Sequence, residues 1–472
     1  MKKYLAILIL GLCAGQVRWE YEIIDSQTGP KFSSLTIGAD DKVHVIYDKI
    51  YTKSVVYAYR TDSNWQIEVV DTGYLCNAFS ISCDESNAPH ISYFCRYEAS
   101  GPTYVCHGHR QNGIWVLDTI DSIIGTLGNY WIDYRTSIDI DTAGLPGVAY
   151  IAWNVPDSIH YIKYAHFNGT TWDTSIVEYD SAYANIQLGP TDYYPCLRFD
   201  RKNTPHIAFG HCYGINDTLK IATYVDSNST WFVEPVLGDY CCASRVSLGL
   251  SRDDRPCIAF DWEGALIYSW CDSTSIWHFE GVAGLGQVGI RLVIDLDNLD
   301  NPHIVYLPDP LIAHPCYVFK RNGIWYDCGW IEPDPNSLTI DSDVAFDLDA
   351  NNQPNVCYPT SSYGFKYAKG TFMDIKDNDT GYRIHDKGLR IKVHPNISYG
   401  YLTIEYSLRN TGDVEIEIYD VIGAKRKSIK FKNCQSGNYT KILNLSDLAS
   451  GVYFVALKQN NEKVSKKFIL MR

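Results

Sequence analysis

Apolar and polar residues alternate along most of this chain in short runs, as in WQIEVVD from Trp65, VVYAYR from Val55 and YIKYAH from Tyr161. A period of two puts successive side chains on opposite faces and predicts strands. A helix would repeat its apolar positions every three or four residues. Turn formers separate the runs, among them Asn-Gly pairs at Asn112, Asn168 and Asn322. Both residues of such a pair accept the positive φ angles of a tight hairpin. The expected architecture is all-β.

The runs recur. Seven segments align as VHVIY (Val43), PHISY (Pro89), PGVAY (Pro146), PHIAF (Pro205), PCIAF (Pro256), PHIVY (Pro302) and PNVCY (Pro354), about fifty residues apart. Aspartate stands five positions before the proline in five copies, at Asp84, Asp141, Asp200, Asp297 and Asp349. Tryptophan recurs at Trp19, Trp65, Trp115, Trp172, Trp231, Trp277 and Trp325. Each unit holds four strands in order: a Ser-x-Ile-x-x-Asp strand, the Pro strand, a tyrosine strand and the tryptophan strand. One such unit cannot bury both its faces, whereas a ring of units can. The repeat therefore predicts a seven-bladed β-propeller over residues 16–370. The last unit ends after FKYAKG without a tryptophan strand, and an orphan one, WEYEIID, precedes the first. The N-terminal strand is expected to complete the seventh blade and close the ring.

In the Pro strand, Val or Ile and then Tyr or Phe fall on one face, with His, Gly, Cys or Asn on the other. His44, His90, His206 and His303 are read as structural groups that hydrogen-bond a neighbouring blade. The Asp-to-Pro and Tyr-to-Trp connections are tight and share one rim. The other two connections vary in length and share the opposite rim, which is the expected binding face.

From Asp374 the rhythm changes. Residues 371–387 read as a polar linker, and alternation in LTIEYSL and VEIEIYDV predicts a small immunoglobulin-like β-sandwich over 388–472. IEIYDVIG, LASGVYFVALK and the terminal KKFILMR, in that order, resemble the type A C-terminal sorting domain of the type IX secretion system. The matching positions are Pro395, Asn396, Tyr419, Asp420, Gly423, Gly451, Val452, Tyr453, Lys466 and Lys467. HPNIS departs from that family's more frequent Tyr-Pro-Asn-Pro at His394 and Ile397. The resemblance implies passage across an outer membrane by the type IX machinery after Sec export. Release or surface anchoring follows, usually with removal of this domain. More loosely, YRTDSNW from Tyr59 resembles the hairpin of sialidase-like, BNR-type repeat proteins. The full Ser-x-Asp-x-Gly-x-x-Trp box is not met, so this second resemblance implies a fold and no activity.

Charge and cysteine content narrow the partners. The net charge is −14, which argues against nucleic acid or an anionic membrane as a partner. Lys2 and Lys3, the apolar run Tyr4 to Leu12 and the exit Cys13-Ala14-Gly15 read as a signal peptide over residues 1–15. No later segment has eighteen continuous apolar residues, so no transmembrane helix is expected. The 15 cysteines are scattered without a C-x-x-C pair and read as small buried residues of a β core.

Candidate chemistry lies in two long aromatic loops, from Ile123 and from Tyr179, which carry Tyr130, Trp131, Tyr134, Arg135, Tyr193 and Tyr194. Arg96, Trp153, His211, Trp262 and Glu263 fall on the same rim. Aromatic platforms with a few charged groups suit a glycan or a protein ligand. Two other readings stand beside binding. One is a polysaccharide-degrading enzyme, either a lyase using His211, Tyr213, Arg96 and Arg135 or a sialidase-like glycosidase. The other is a structural spacer in a surface assembly. No catalytic residues, no cofactor and no metal are assigned. Calcium is weighed at DLDNLDN (Asp295) and DIKDNDTG (Asp374), where Asx-turns explain the first equally well. Cys106 to His109, CHGH, places two histidines on one strand face but shows no third or fourth ligand.

Overall fold

The computed structural model describes residues 17–27, 29–49, 51–62, 64–123, 135–154, 159–180, 194–211, 218–225, 227, 229–237, 245–262, 265–282, 291–308, 314–321, 323–332, 343–360, 364–372, 390–394, 397–398, 401–408, 411–420, 424–435, 437–445, 447–459 and 462–470. Every regular element among them is a strand; no α-helix occurs. The chain divides into two compact units, the smaller formed mainly by residues 374–472.

The larger unit holds seven four-stranded antiparallel sheets, called here blades 1 to 7. Their first strands, in order, are Ser33–Ile37, Leu75–Cys83, Thr136–Ile140, Cys196–Phe199, Val246–Leu250, Leu292–Leu296 and Ala345–Leu348. Blades 1 to 6 each run in sequence order. Blade 7 takes its fourth strand from the N-terminus: Val17–Asp25 pairs antiparallel with Gly364–Phe372. Burial falls outward across each blade. The second strand Pro89–Arg96 is buried throughout, whereas the fourth strand Trp65–Thr72 alternates between half-buried and exposed.

Neighbouring blades are joined by the repeated residues. The aromatic of the Pro strand (Tyr47, Tyr93, Tyr150, Phe209, Phe260, Tyr306, Tyr358) is buried in every blade, worth about 1.5–3 kcal/mol each. Where it is tyrosine, its hydroxyl commonly donates to a carboxylate near the end of the preceding blade's outer strand. Tyr47 bonds Asp25, Tyr93 bonds Asp71, Tyr150 bonds Asp121 and Tyr358 bonds Glu332. The serine of the first strand caps the next blade's exposed edge. Ser80 Oγ accepts from Ile138 N, Ser137 Oγ from Leu197 N and Ser247 Oγ from Ile294 N. Two residues further along the strand Asp139, Asp295 and Asp347 accept from Phe199 N, Leu348 N and Ile37 N. An unpaired strand edge is an aggregation template, and these side chains satisfy it.

The tight turn after each first strand is equally regular. The N–H of Gly38, Asp84, Asp141, Asp200, Ser251, Asp297 and Asp349 donates to the carbonyl four residues on. Three residues after each of these lies a left-handed residue: Asp41, Asn87, Gly144, Asn203, Asp254, Asp300 and Asn352. Six of the seven carry a side-chain oxygen, and each of the six accepts an N–H from the preceding blade's turn. The donors are the N–H groups of Ala350, Asp40, Thr142, Arg201, Arg252 and Asn298. Asp297 Oδ1, weighed above for calcium, accepts the N–H groups of Leu299 and Asn301.

The repeated histidines are structural, but their partners differ from the expectation. Each bonds within its own blade: His44 Nδ1 to Tyr57 Oη at 2.5 Å, His303 Nδ1 to Tyr317 Oη at 2.5 Å, His206 Nδ1 to Thr223 Oγ1 at 3.0 Å and His90 Nδ1 to His107 Nε2 at 3.1 Å. The adjacent strand of the same sheet lies closer than the next blade, and a ring nitrogen reaches it directly. Expected buried cysteines are found at Cys76, Cys95, Cys106, Cys257, Cys316 and Cys357.

In the smaller unit a three-stranded and a five-stranded sheet share one core of Ile391, Leu402, Ile404, Val414, Ile416, Val455, Leu457 and Phe468. Glu417 is buried there. Burial raises its pKa, but hydrogen bonds from Lys425, Lys458 and Tyr419 outweigh this and hold it down at about 2. Asp420 accepts from Ala424 N and pairs with Arg426. Tyr453 donates to Ala449 O. Burial lowers the Lys467 pKa. Pro395, Asn396 and Gly423 lie outside the described residues, as do residues 1–16.

Candidate binding site

Six residues before the turn residue of each blade is one structurally equivalent position, at the entry to the first strand. Reading blades 1 to 7 it holds Phe32, Ala78, Arg135, Tyr194, Arg245, Arg291 and Asp343. Arg135 is half-buried and the other six are buried. The polar members meet. Arg135 and Arg291 both pair with the Asp343 carboxylate, Arg291 Nε at 2.5 Å. The guanidinium of Arg245 stacks on the Tyr194 ring at 3.9 Å, and that of Arg135 lies 5.2 Å from the same ring. Side chains from blades 3, 4, 5, 6 and 7 thus form one cluster.

The cluster brings three guanidiniums together with buried acids. Arg135 and Arg291 share the Asp343 carboxylate, and the Asp261 carboxylate accepts the Arg245 N–H. The next acid, Asp48, accepts the Phe32 N–H. Burial pushes its pKa up to about 7, and the nearby Asp343 charge adds to that. Asp48 therefore contributes little negative charge below neutral pH. Planar, forked guanidiniums around an aromatic ring suit a planar anion presented on a flat, partly apolar body.

Of the residues singled out from sequence, Arg135 and Tyr194 are brought together here. Arg96 is buried and lies over the Tyr74 ring at 5.3 Å. Trp262 is half-buried, with its indole Nε1 making no hydrogen bond. Trp153 lies next to the end of the strand Pro146–Asn154 and His211 ends Pro205–His211, and their side chains lie outside the described residues. Tyr130, Trp131, Tyr134, Tyr193 and Glu263 also lie outside them. Sequence reasoning missed Arg245, Arg291 and Asp343. The signal was available: all three occupy the repeat position of Arg135, six residues before the turn.

Residues 392–471 match the family model described as the secretion system C-terminal sorting domain. The chain is thereby marked for export to the cell surface or for secretion. No curated protein sequence matches the chain. Among solved structures it is similar to the BP39L lectin from Burkholderia pseudomallei (12% identity, 73% of this chain and 96% of that one, TM-score 0.49). A protein of unknown function from Dyadobacter fermentans is also similar (10% identity, 76% and 100%, TM-score 0.43). So is PorZ, a surface component of the type IX secretion system of Porphyromonas gingivalis (11% identity, 91% and 58%, TM-score 0.41).

Proposed function

We propose that the chain is an exported binding protein whose seven blades close into one propeller, and that it captures an acidic glycan at the end where the first strands begin. Closure is supported by the pairing of Val17–Asp25 with the seventh blade and by the bond from Ile37 N to Asp347 between blades 1 and 7. The smaller unit acts as an immunoglobulin-like sorting domain engaged by the type IX machinery. The observation that carries the binding reading is the convergence of Arg135, Arg245 and Arg291 around Tyr194 and Asp343. In a chain of net charge −14, long-range attraction favours cations. An anion site must then act at short range, as a desolvated guanidinium cluster does. A uronate or other carboxylated sugar offers both a planar anion for the forks and a ring for Tyr194. Half-buried Trp262 would extend the surface along the glycan.

The test is calorimetric titration of the full chain with carboxylated and neutral oligosaccharides of matched length. Only the carboxylated series should bind. R245A should weaken binding about 30- to 160-fold, the range of a charge-assisted contact of about 2–3 kcal/mol. Affinity should fall as pH rises from 6 to 8, because Asp48 gains its charge over that interval. Equal binding of neutral glycans, or an R245A variant that binds as well as wild type, would sink the reading. New chain ends appearing during the titration would replace binding by catalysis.

A further inference from the structure

A second site lies on the outer part of blade 2, where the repeat breaks. In blades 1, 3, 6 and 7 the third strand carries tyrosine at one equivalent position: Tyr57, Tyr164, Tyr317 and Tyr367. Blade 2 has His107 there, followed two residues on, along the same face, by His109. The outer strand has its own rule. In three blades the residue three positions after the tryptophan receives the next blade's indole N–H: Glu22 from Trp65, Glu68 from Trp115 and Ser175 from Trp231. In blade 2 that residue is Asp118. It turns instead toward His107, with Oδ2 3.5 Å from Nδ1, and Trp172 Nε1 is left without a hydrogen bond.

The result is a set of three potential ligands with poorly satisfied nitrogens. Ligand atoms of His107, His109 and Asp118 all lie within 4.8 Å of one another. His107 Nδ1 has only the long 3.5 Å contact with Asp118, and His109 Nδ1 is buried and makes no hydrogen bond. A native fold leaves few such atoms unsatisfied. The far side of His107 is also organised. Its Nε2 lies 3.1 Å from His90 Nδ1, and His90 Nε2 lies 3.7 Å from Asp84 Oδ2. If Nε2–H of His107 donates to His90, and Nε2–H of His90 points to Asp84, then Nδ1 of His107 presents its lone pair toward Asp118. A histidine whose second nitrogen is held in this way is the usual arrangement of a metal ligand.

We infer that His107, His109 and Asp118 bind a divalent transition-metal ion of the zinc class, with water completing a four-coordinate shell. Two imidazoles and a carboxylate are the ligand types zinc takes, at about 2.0–2.2 Å each. Closing from the present spacing needs only side-chain rotation, which half-buried His109 and Asp118 permit. His90 and Asp84 act as positioning residues.

The test uses the full, metal-free chain titrated with Co2+ and then Zn2+. One Co2+ per chain should bind, giving a visible ligand-field band without a thiolate charge-transfer band, and Zn2+ should displace it. H109A and D118N should each weaken binding at least tenfold while melting within a few degrees of metal-free wild type. D84N should weaken it about tenfold, the lower end for loss of an outer partner. Failure to bind one equivalent would overturn the proposal. So would a thiolate band, or binding unchanged in both H109A and D118N.

A separate observation concerns Cys76 and Cys95, paired across the first and second strands of blade 2. Their buried Sγ atoms lie 2.6 Å apart, well inside the contact distance of two thiols. We propose that the exported protein carries a Cys76–Cys95 disulfide. The two thiols lose two protons and two electrons to a protein disulfide, which is reduced to a dithiol in exchange. Peptide mapping of the secreted chain without reductant should recover the two peptides linked. Recovery of both as free thiols from freshly secreted protein would overturn it.

Discussion

The two ends of the seven first strands follow opposite rules. At the turn end every blade does the same thing. A left-handed Asp or Asn reaches back to the preceding turn in six blades, and glycine takes the position in the seventh. Six residues before each turn, at the entry end, the equivalent position holds phenylalanine, alanine, tyrosine, aspartate and three arginines. Repeated residues answer a demand common to all blades, the joining of one to the next. Residues that differ from blade to blade at one fixed position are free of that demand, and here they converge on a charge cluster. In a repeat protein, a position that is structurally equivalent yet chemically unlike is where a ligand is to be sought.

The largest effect should come from breaking the variable end. Asp343 is buried and shared by Arg135 and Arg291. D343A removes that shared carboxylate from buried cations and should cost about 3–5 kcal/mol in denaturant unfolding. A carboxylated oligosaccharide should restore part of the loss and stabilise D343A more than wild type. A variant as stable as wild type would mean that the cluster is not balanced by this carboxylate. The contrast between the two ends would then lose its energetic basis.

The repeated part of the molecule was legible because each of its residues is written several times. Seven Pro strands, the tryptophan column and the orphan WEYEIID gave the four-stranded sheets and the N-terminal strand's place in blade 7. The histidines were rightly read as structural. Their partners were misplaced because alternation tells which face a residue takes and not which neighbour it reaches. The site was legible only in part. Loop length and aromatic content led to Arg135 and Tyr194, whereas Arg245, Arg291 and Asp343 follow loops with less conspicuous sequences. The third ligand beside CHGH was hidden for a simpler reason. A two-residue turn at Asn112-Gly113, with φ of 53° and 80°, pairs Gln111 with Ile114 and therefore His107 with Asp118. Counting that register finds Asp118, and scanning for ligand spacing along one strand does not.

A mid-sized effect tests whether the histidine column is architecture. Burial lowers the His44 pKa from the ordinary histidine value of 6.5 to about 4. Between those values the unfolded chain binds the proton and the folded one does not. The stability His44 contributes is therefore complete above about pH 6.5 and is lost as pH falls toward 4. Its size is on the order of 3 kcal/mol. H44N copies blade 7, where Asn355 accepts the Tyr367 hydroxyl at 2.5 Å. Chemical unfolding from pH 7 to pH 4 should show a shallower acid limb for H44N and similar stability at pH 7. An unchanged acid limb would show that His44 is already charged in the fold.

The smallest effect bears on the regular end, and it concerns the one blade that departs from the rule. Gly144 takes the left-handed position of blade 3 with φ of 77°, and no heavy atom lies within 4 Å of where its Cβ would stand. Asparagine tolerates that conformation, as Asn87, Asn203 and Asn352 do here. By the repeat, its side chain would accept the N–H of Glu85 and supply the seventh clasp. G144N should gain about 1 kcal/mol from that bond together with a less flexible unfolded chain. The left-handed backbone takes some of it back, for a net rise in melting temperature of about 1–2 °C. G144A separates the two contributions. It stiffens the unfolded chain equally but makes no clasp and pays the left-handed penalty of about 1 kcal/mol, so it should melt below wild type. The expected order is asparagine above glycine above alanine. If G144N melted no higher than G144A, the side-chain bonds between turns would add nothing to stability. The regularity of that end would then reflect only the backbone's need for residues that accept positive φ.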